Sequence, residues 1–322
     1  MSEFGFHSTT DEVLEDVDLT DRVAVVTGAS GGLGLETARS LAAHGAHVVL
    51  AARSSEKLAT AVAAVHDAHP DASIDTLVLD LADVSSCRRA AIELLQRIDR
   101  LDLLVNNAGV MCTPFGRTAD GFETQFGTNH LGHMAWTIPL LDLIARTAQS
   151  GGPGSARIVN LSSAGHRFGD VDLDDPNYES RLYDPWDAYG QSKTSNVLFS
   201  VELERRLGAH GVRSVAVHPG GIHTDLGRHM TPELLGEIQA RIEQSNPEGF
   251  DWKSTEQGAA TSVWAATTAD FDDAGGAYCE DCGVAEIRQL DDAGSSGVLA
   301  YAVDPERAAE LWDLSIDLLE RV

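Results

Sequence analysis

From residue 21 onward, short apolar runs rich in β-branched residues alternate with stretches whose apolar positions recur every three to four residues. The runs at 22–27, 46–51, 73–79, 101–106, 156–161, 212–218 and 277–282 have strand character. Between most of them lie helical patterns, such as 33–44, where Leu35, Ala38, Leu41 and Ala42 share one stripe. Strands that are apolar throughout need cover on both faces. The pattern therefore predicts a doubly wound α/β architecture, with helices on both faces of a mostly parallel sheet of about seven strands.

The two ends extend this pattern. Thr9 and Glu12 have capping-box spacing and predict a short helix within 8–19, leading into the first strand. Asp304-Pro305 suits an N-cap and first helical position, and Leu311, Leu314, Leu318 and Leu319 form an apolar stripe beyond it. The glycine-rich stretch 151–155 stands directly before a strand and reads as a helix-to-strand turn rather than a linker. The expected organisation is an extension over 1–20 and one domain over 21–322, the latter including a variable region at 226–253 and the terminal helix at 304–322.

With 322 residues, 43% of them hydrophobic, the chain can bury a substantial core. Fifty acidic against 23 basic residues give a formal charge of −27, which disfavours nucleic acid and anionic membrane surfaces as partners. No basic leader and no membrane-length apolar stretch is evident, and a cytoplasmic protein is expected. Four cysteines suit a reducing compartment. Cys279 and Cys282 have the spacing of half a zinc site but lack a second pair, and His130, His133, His218, His223 and His229 make no closed ligand set. No metal is expected.

Candidate chemistry begins at residues 27–34, TGASGGLG, between the first strand and first helix. Gly28, Gly32 and Gly34 form a G-x-x-x-G-x-G turn, whose bare backbone would let a pyrophosphate approach a helix N-terminus. Alone, such a turn is equally well a tight connection. At the end of the second strand, where a carboxylate would accept from ribose hydroxyls, residues 51–54 read Ala-Ala-Arg-Ser. Arg53 is either a solvated loop residue or a guanidinium for a 2′-phosphate, and the missing acid favours NADP over NAD. Tyr189 and Lys193 stand one helical turn apart, a phenol beside an ammonium, which without further context would be an ordinary surface pair.

In combination these motifs resemble the short-chain dehydrogenase/reductase family, from about residue 20 to the end of the seventh strand. The similarity is greatest to the retinol-dehydrogenase-like and WW-domain-oxidoreductase-like branch, through 49–53, 128–133 and 218–224, although no WW module or membrane anchor is evident. The resemblance implies a Rossmann fold and a catalytic set of Asn129, Ser163, Tyr189 and Lys193. It implies cofactor contacts from Gly28, Ser30, Gly31, Gly32, Leu33 and Gly34, from Arg53, Asp80 and Leu81, and from Asn107, Ala108 and Gly109. Tyr189, Lys193, Pro219, Gly220, Ile222 and Thr224 complete that implied set.

A free tyrosine titrates near pH 10, and a neighbouring cation commonly lowers such a pKa by about 1–3. Lys193 is expected to act so on Tyr189, which would protonate an alkoxide formed by hydride delivery from NADPH, or serve as base in the reverse direction. Ser163 would hold the reacting oxygen, and Asn129 would position water in a relay from Lys193. The insert 164–188 carries Phe168, Tyr178, Tyr183 and Trp186; region 226–253 carries Met230, Leu234, Leu235, Ile238, Ile242, Phe250 and Trp252. A lid over the nicotinamide and an apolar small-molecule carbonyl or alcohol follow as expectations. Apolar residues on more than one face of 188–207 suggest a homodimer or homotetramer. Rival readings are a noncatalytic NADP(H)-sensing or scaffold protein on the same fold, and a related epimerase or dehydratase.

Overall fold

The apolar runs become strands β1 (Val23–Thr27), β2 (His47–Ala52), β3 (Ile74–Val78), β4 (Leu103–Asn106), β5 (Ala156–Leu161), β6 (Val212–His218) and β7 (Tyr278–Glu280). They pair in parallel in the order β3-β2-β1-β4-β5-β6-β7, and β8 (Gly283–Val284) adds an antiparallel edge. This computed structural model describes all residues except 1–3, 153, 225, 228–229, 246–248 and 293–295, with backbone alone for 241–245. His229, Pro153 and the side chain of Ile242 thus lie outside the described residues.

The single run expected at 277–282 differs from what forms. Asp281 and Cys282 take left-handed backbone angles, φ 50° and 55°, so the chain reverses after Glu280 and an eighth strand results. Cys279 and Cys282 are buried thiols, and the Cys282 amide N–H donates to Thr261 Oγ1 at 3.2 Å.

Side chains alternate across the sheet as its pleat requires. Along β1, Val25 enters one apolar layer while Ala24 and Val26 enter the other. The first layer is covered by α4 (Val84–Arg97), α6 (Gly132–Thr137), α7 (Leu141–Gly151) and α8 (Pro185–Leu207), with Phe126 of the short α5 (Thr124–Phe126) packed among them. The second is covered by α1 (Thr10–Leu14), α2 (Gly32–Ala43), α3 (Ser55–Ala68) and α10 (Thr255–Ala266), the last following α9 (Pro232–Ser245). Thr9 and Glu12 form the expected capping box, but α1 ends early: Leu19 N–H donates to His44 O, drawing the chain toward the end of α2.

The final helix, α11 (Pro305–Glu320), starts at the Asp304 cap and lies along α8. Phe199 of α8 stacks on Trp312 of α11, and the Arg206 guanidinium sits 4.2 Å from the Trp312 ring centroid. The second apolar face of α8 is therefore covered within one chain, and a homodimer or homotetramer would have to use another surface. No helix among the described residues is long and apolar enough to cross a membrane.

One buried carboxylate registers β1 against β4. Asp102 accepts from Val23 N–H (2.9 Å), Arg22 (2.9 Å) and Arg100 (2.6 Å). Asp102→Ala leaves that amide and Arg100 without their acceptor and Arg22 with only Ser155 O, and should lower unfolding free energy by about 2–3 kcal/mol in urea titration.

Candidate active site

Parallel pairing brings the C-terminal ends of the strands to one rim, and most of the expected site residues follow those ends, while Asn129, Tyr189 and Lys193 come from helical segments. At β1 and β4, beside the point where strand order reverses, Asn107 Nδ2 donates to Thr27 O (2.8 Å) and Ala108 N–H to Thr27 Oγ1 (3.0 Å). Gly28 needs its left-handed φ of 70°, and a Cβ on Gly34 would strike Asn107 and the Gly28 carbonyl. Ser30, Gly31 and Gly32 form the solvent side of this turn.

The first turn of α2 accounts for the glycines. Helices α1, α3, α4, α8, α10 and α11 have Thr, Ser or Asp side chains capping their first amides, whereas α2 begins at Gly31 with no side-chain cap. Its first amides are left for an external acceptor beside a backbone stripped of side chains, which fits a pyrophosphate. Leu33 and Ile222 both face Gly258 of α10, and the Thr224 methyl reaches toward Gly32, so segment 219–224 closes the other side of this cleft. Arg53, one residue beyond β2, is exposed. Asp80 follows β3 and caps Ala82 N–H through Oδ1 (3.0 Å), while Leu81 is buried.

Ser163 follows β5, and its hydroxyl and the Tyr189 ring flank Gly165 together. Gly165 N–H donates to Ser163 Oγ at 3.0 Å, and a Cβ on Gly165 would lie 2.5 Å from Tyr189 Cε1. Lys193 donates from Nζ to Leu161 O at 2.9 Å, with Nζ 5.7 Å from the Tyr189 ring centroid. Burial lowers the Lys193 pKa to about 8 and pushes the Tyr189 phenol above its ordinary value, the Ser163 hydroxyl opposing that rise. The acidification expected from Lys193 does not appear in this arrangement, where desolvation dominates and Ser163 is what opposes it.

Asn129 lies in a π-helical turn, Gly127–Leu131, a wide turn that re-aims side chains within a helix. Its Nδ2 donates to Val110 O and Ser192 Oγ, both at 2.9 Å, and its Oδ1 accepts from Val110 N–H at 2.8 Å. Both amide hydrogens are taken, so one Oδ1 lone pair remains for a water. Gly109 stands beside Asn129 Oδ1 and Lys193 Nζ, close enough that a Cβ there would touch both. His133 joins two parts of the site: Nδ1–H donates to Asn129 O (2.8 Å), while Nε2 accepts from Thr27 Oγ1 (3.0 Å).

Several residues here carried no sequence signal. Cys112 sits in a left-handed conformation, φ 47°, against Tyr189, with its N–H donating to Gln125 Oε1 at 2.8 Å. Gln125 also donates to Tyr183 Oη (2.9 Å) and Pro185 O (3.0 Å), tying the insert to the start of α8. Glu123, raised to about pH 7 by burial, caps Gln125 and Phe126. His218 Nδ1 accepts from Ala164 N–H (3.3 Å) and Gly220 N–H (3.4 Å), joining the Ser163 loop to segment 219–220. Of the insert aromatics, Tyr178 is structural, donating to Asp187 at 2.6 Å beneath Arg181. Trp186 packs with Tyr189, and Met230, Leu234 and Ile238 of the 226–253 region lie over them.

The comparisons agree with this geometry. The family model described as short chain dehydrogenase matches residues 22–234. A short-chain dehydrogenase/reductase of Penicillium roqueforti is 39% identical over 317 residues, covering 96% of this chain and 89% of its own. Retinol dehydrogenase 11 of Mus musculus is 36% identical over 311 residues, covering 94% and 88%. A crystal structure of an uncharacterised Mycobacterium paratuberculosis protein superposes with a TM-score of 0.71 at 34% identity, covering 98% of both chains. The chain belongs to the short-chain dehydrogenase/reductase family, in its retinol-dehydrogenase-like branch, and is an oxidoreductase of that class.

Two outcomes follow. Gly165→Ala forces the Tyr189 ring aside, and about a 100-fold loss of turnover is expected with little change in melting temperature. Lys193 binds fewer protons folded than unfolded between pH 8 and its ordinary 10.5. The destabilisation from burying its charge is complete below pH 8 and relieved as pH rises, so Lys193→Met should gain most stability over wild type near neutral pH and least near pH 10.5 in parallel denaturation curves.

Proposed function

We propose that the protein is an NADP(H)-dependent oxidoreductase interconverting an apolar carbonyl compound and its alcohol, with Asn129, Ser163, Tyr189 and Lys193 as the reacting set. The observation that carries this reading is the convergence of Ser163, Tyr189 and Lys193 around Gly165 and Gly109, beside an uncapped helix start behind a glycine turn. Gly28 and residues 30–34 would hold the pyrophosphate, Asp80, Leu81 and Asn107–Gly109 would line the adenine and ribose side, and Lys193 and 219–224 would flank the nicotinamide. Arg53 would take the 2′-phosphate, because its guanidinium is exposed and no carboxylate stands at 51–54 to compete for it.

Held by these residues, a reduced nicotinamide would supply hydride to the substrate's carbonyl carbon. Gly165 N–H occupies one lone pair of Ser163 Oγ and fixes the hydroxyl's direction, so Ser163 can donate to an oxygen on which charge develops. Tyr189 transfers its phenolic proton to that oxygen. Burial keeps the phenol protonated and poised as an acid, and Lys193, still mainly cationic at neutral pH, stabilises the phenolate left behind. Asn129 holds Val110 and the adjoining Gly109 in place, and its free lone pair accepts the water through which Tyr189 recovers a proton.

The substrate side is apolar. Met111, Cys112, Trp186, Met230, Leu234 and Ile238 surround Tyr189, while Phe115, Phe168 and Trp252 remain 40–49% exposed near the same segments. An apolar group replaces α9's contacts with Trp186 and Tyr189 when α9 lifts as a lid. We place the reaction in the cytoplasm, within one catalytic unit over 21–322.

Two assays test the reading. NADPH oxidation should depend on added ketone, favour hydrophobic ketones over small polar sugars, and fall at least about 1,000-fold in Tyr189→Phe. Ketone-independent consumption, or turnover of polar compounds alone, contradicts it. Arg53→Ala should weaken NADPH binding about tenfold or more while leaving NADH binding nearly unchanged in fluorescence titrations.

A further inference from the structure

Lys253 is a buried ammonium with no part in the reaction described above. Its side chain is 1% exposed, and Nζ donates to Asp281 Oδ1 at 2.6 Å in the β7–β8 turn. The same Nζ lies 4.5 Å from the ring centroid of Phe6 in the N-terminal extension. Sequence reading gave it no role; it merely precedes the Ser254 cap of α10.

Its position relative to segment 219–222 is specific. Lys253 N–H donates to Gly221 O at 3.0 Å, and Ile222 pairs with Lys253 in a parallel bridge. These contacts close the neck of the loop carrying α9. The lysine stem runs beneath Gly220, whose φ is 93°, and a Cβ there would lie 2.8 Å from Lys253 Cδ. One side chain therefore sets how low the Gly220 turn can sit, and the ion pair at its far end fixes the stem.

We infer that Lys253 is a positioning residue for nicotinamide binding: anchored by Asp281 and covered by Phe6, it holds the 219–222 turn at the height the nicotinamide half requires. This rests on reading the cleft as a nicotinamide site. A cation lodged between Asp281 and an aromatic ring has little freedom, so its stem is a fixed floor rather than a flexible contact. The extension over residues 4–14 gains a function from the same contacts. Gln257 Nε2 donates to His7 O at 3.2 Å just beyond the neck, so the extension braces the side of the loop that returns to α10.

The test separates the two halves of the ligand. Titrations of NADPH and of adenosine 2′,5′-bisphosphate, which lacks the nicotinamide half, are followed by calorimetry for wild type, Lys253→Met, Asp281→Asn and Lys253→Arg. Lys253→Met and Asp281→Asn should each weaken NADPH binding about tenfold and leave the fragment within about twofold of wild type, and the double variant, titrated in the same way, should lose less than the two effects added. Lys253→Arg, which preserves the ion pair, should recover most of the affinity. Unchanged fragment binding also certifies the fold of each variant, and Asp281→Asn serves if Lys253→Met does not fold. Equal weakening of both ligands overturns the inference in favour of general loosening, and unchanged NADPH binding overturns it outright. Wild type that binds neither ligand overturns the nicotinamide reading as well.

Discussion

Parallel strand pairing is the constraint on which the rest depends. Each ladder from β3 to β7 runs the same way, so chain segments separated by well over a hundred residues end at one rim. The glycine turn after β1, Asn107 after β4, Ser163 after β5 and Pro219 after β6 become neighbours for that reason alone. Asn129, Tyr189 and Lys193 reach the rim differently, the first from a π-helical turn and the other two from α8 packed across it.

Holding polar groups at such a rim requires that each buried one find a partner. Asn106 Nδ2 donates to Asn160 Oδ1 at 2.8 Å, and Asn160 Nδ2 to Ser200 Oγ at 2.9 Å, stitching β4, β5 and α8 together beneath the site. His133 and His166 are buried and His218 half-buried, and all three are held neutral, their pKa values lowered to about 4, 4 and 3 by desolvation. Neutral imidazole has both a donor and an acceptor, which lets one ring join two backbone segments. His166 does so, donating from Nδ1 to Ser163 O at 2.8 Å while Nε2 accepts from Leu299 N–H at 3.2 Å. Of the histidines that looked like stray metal ligands along the chain, His133 and His218 are struts that join separate segments of the rim.

The fold was legible because its signals are local and periodic. Apolar runs, the Thr9 and Asp304 caps and the helical stripes each specify an element within about ten residues. The reversal at Asp281–Cys282 was not legible, since a left-handed turn of non-glycine residues has no compositional mark. Residue type and order singled out Ser163, Tyr189 and Lys193, and the fold brings these three side chains together. Gly165, Gln125, Trp186 and Lys253 act through contacts between distant segments, and nothing near them in sequence announces those contacts. The face of α8 shows the same limit: its apolarity was plain, but whether α11 or a second chain would cover it depended on tertiary packing.

Hydride transfer beside a tyrosine acid is the central claim, and isotopic labelling tests it most directly. NADPH stereospecifically deuterated at the transferring C4 position, incubated with the hydrophobic ketone that reacts fastest, should yield an alcohol with deuterium on its carbinol carbon. An alcohol carrying only solvent hydrogen at that carbon, or no alcohol from any ketone tried, would contradict the account.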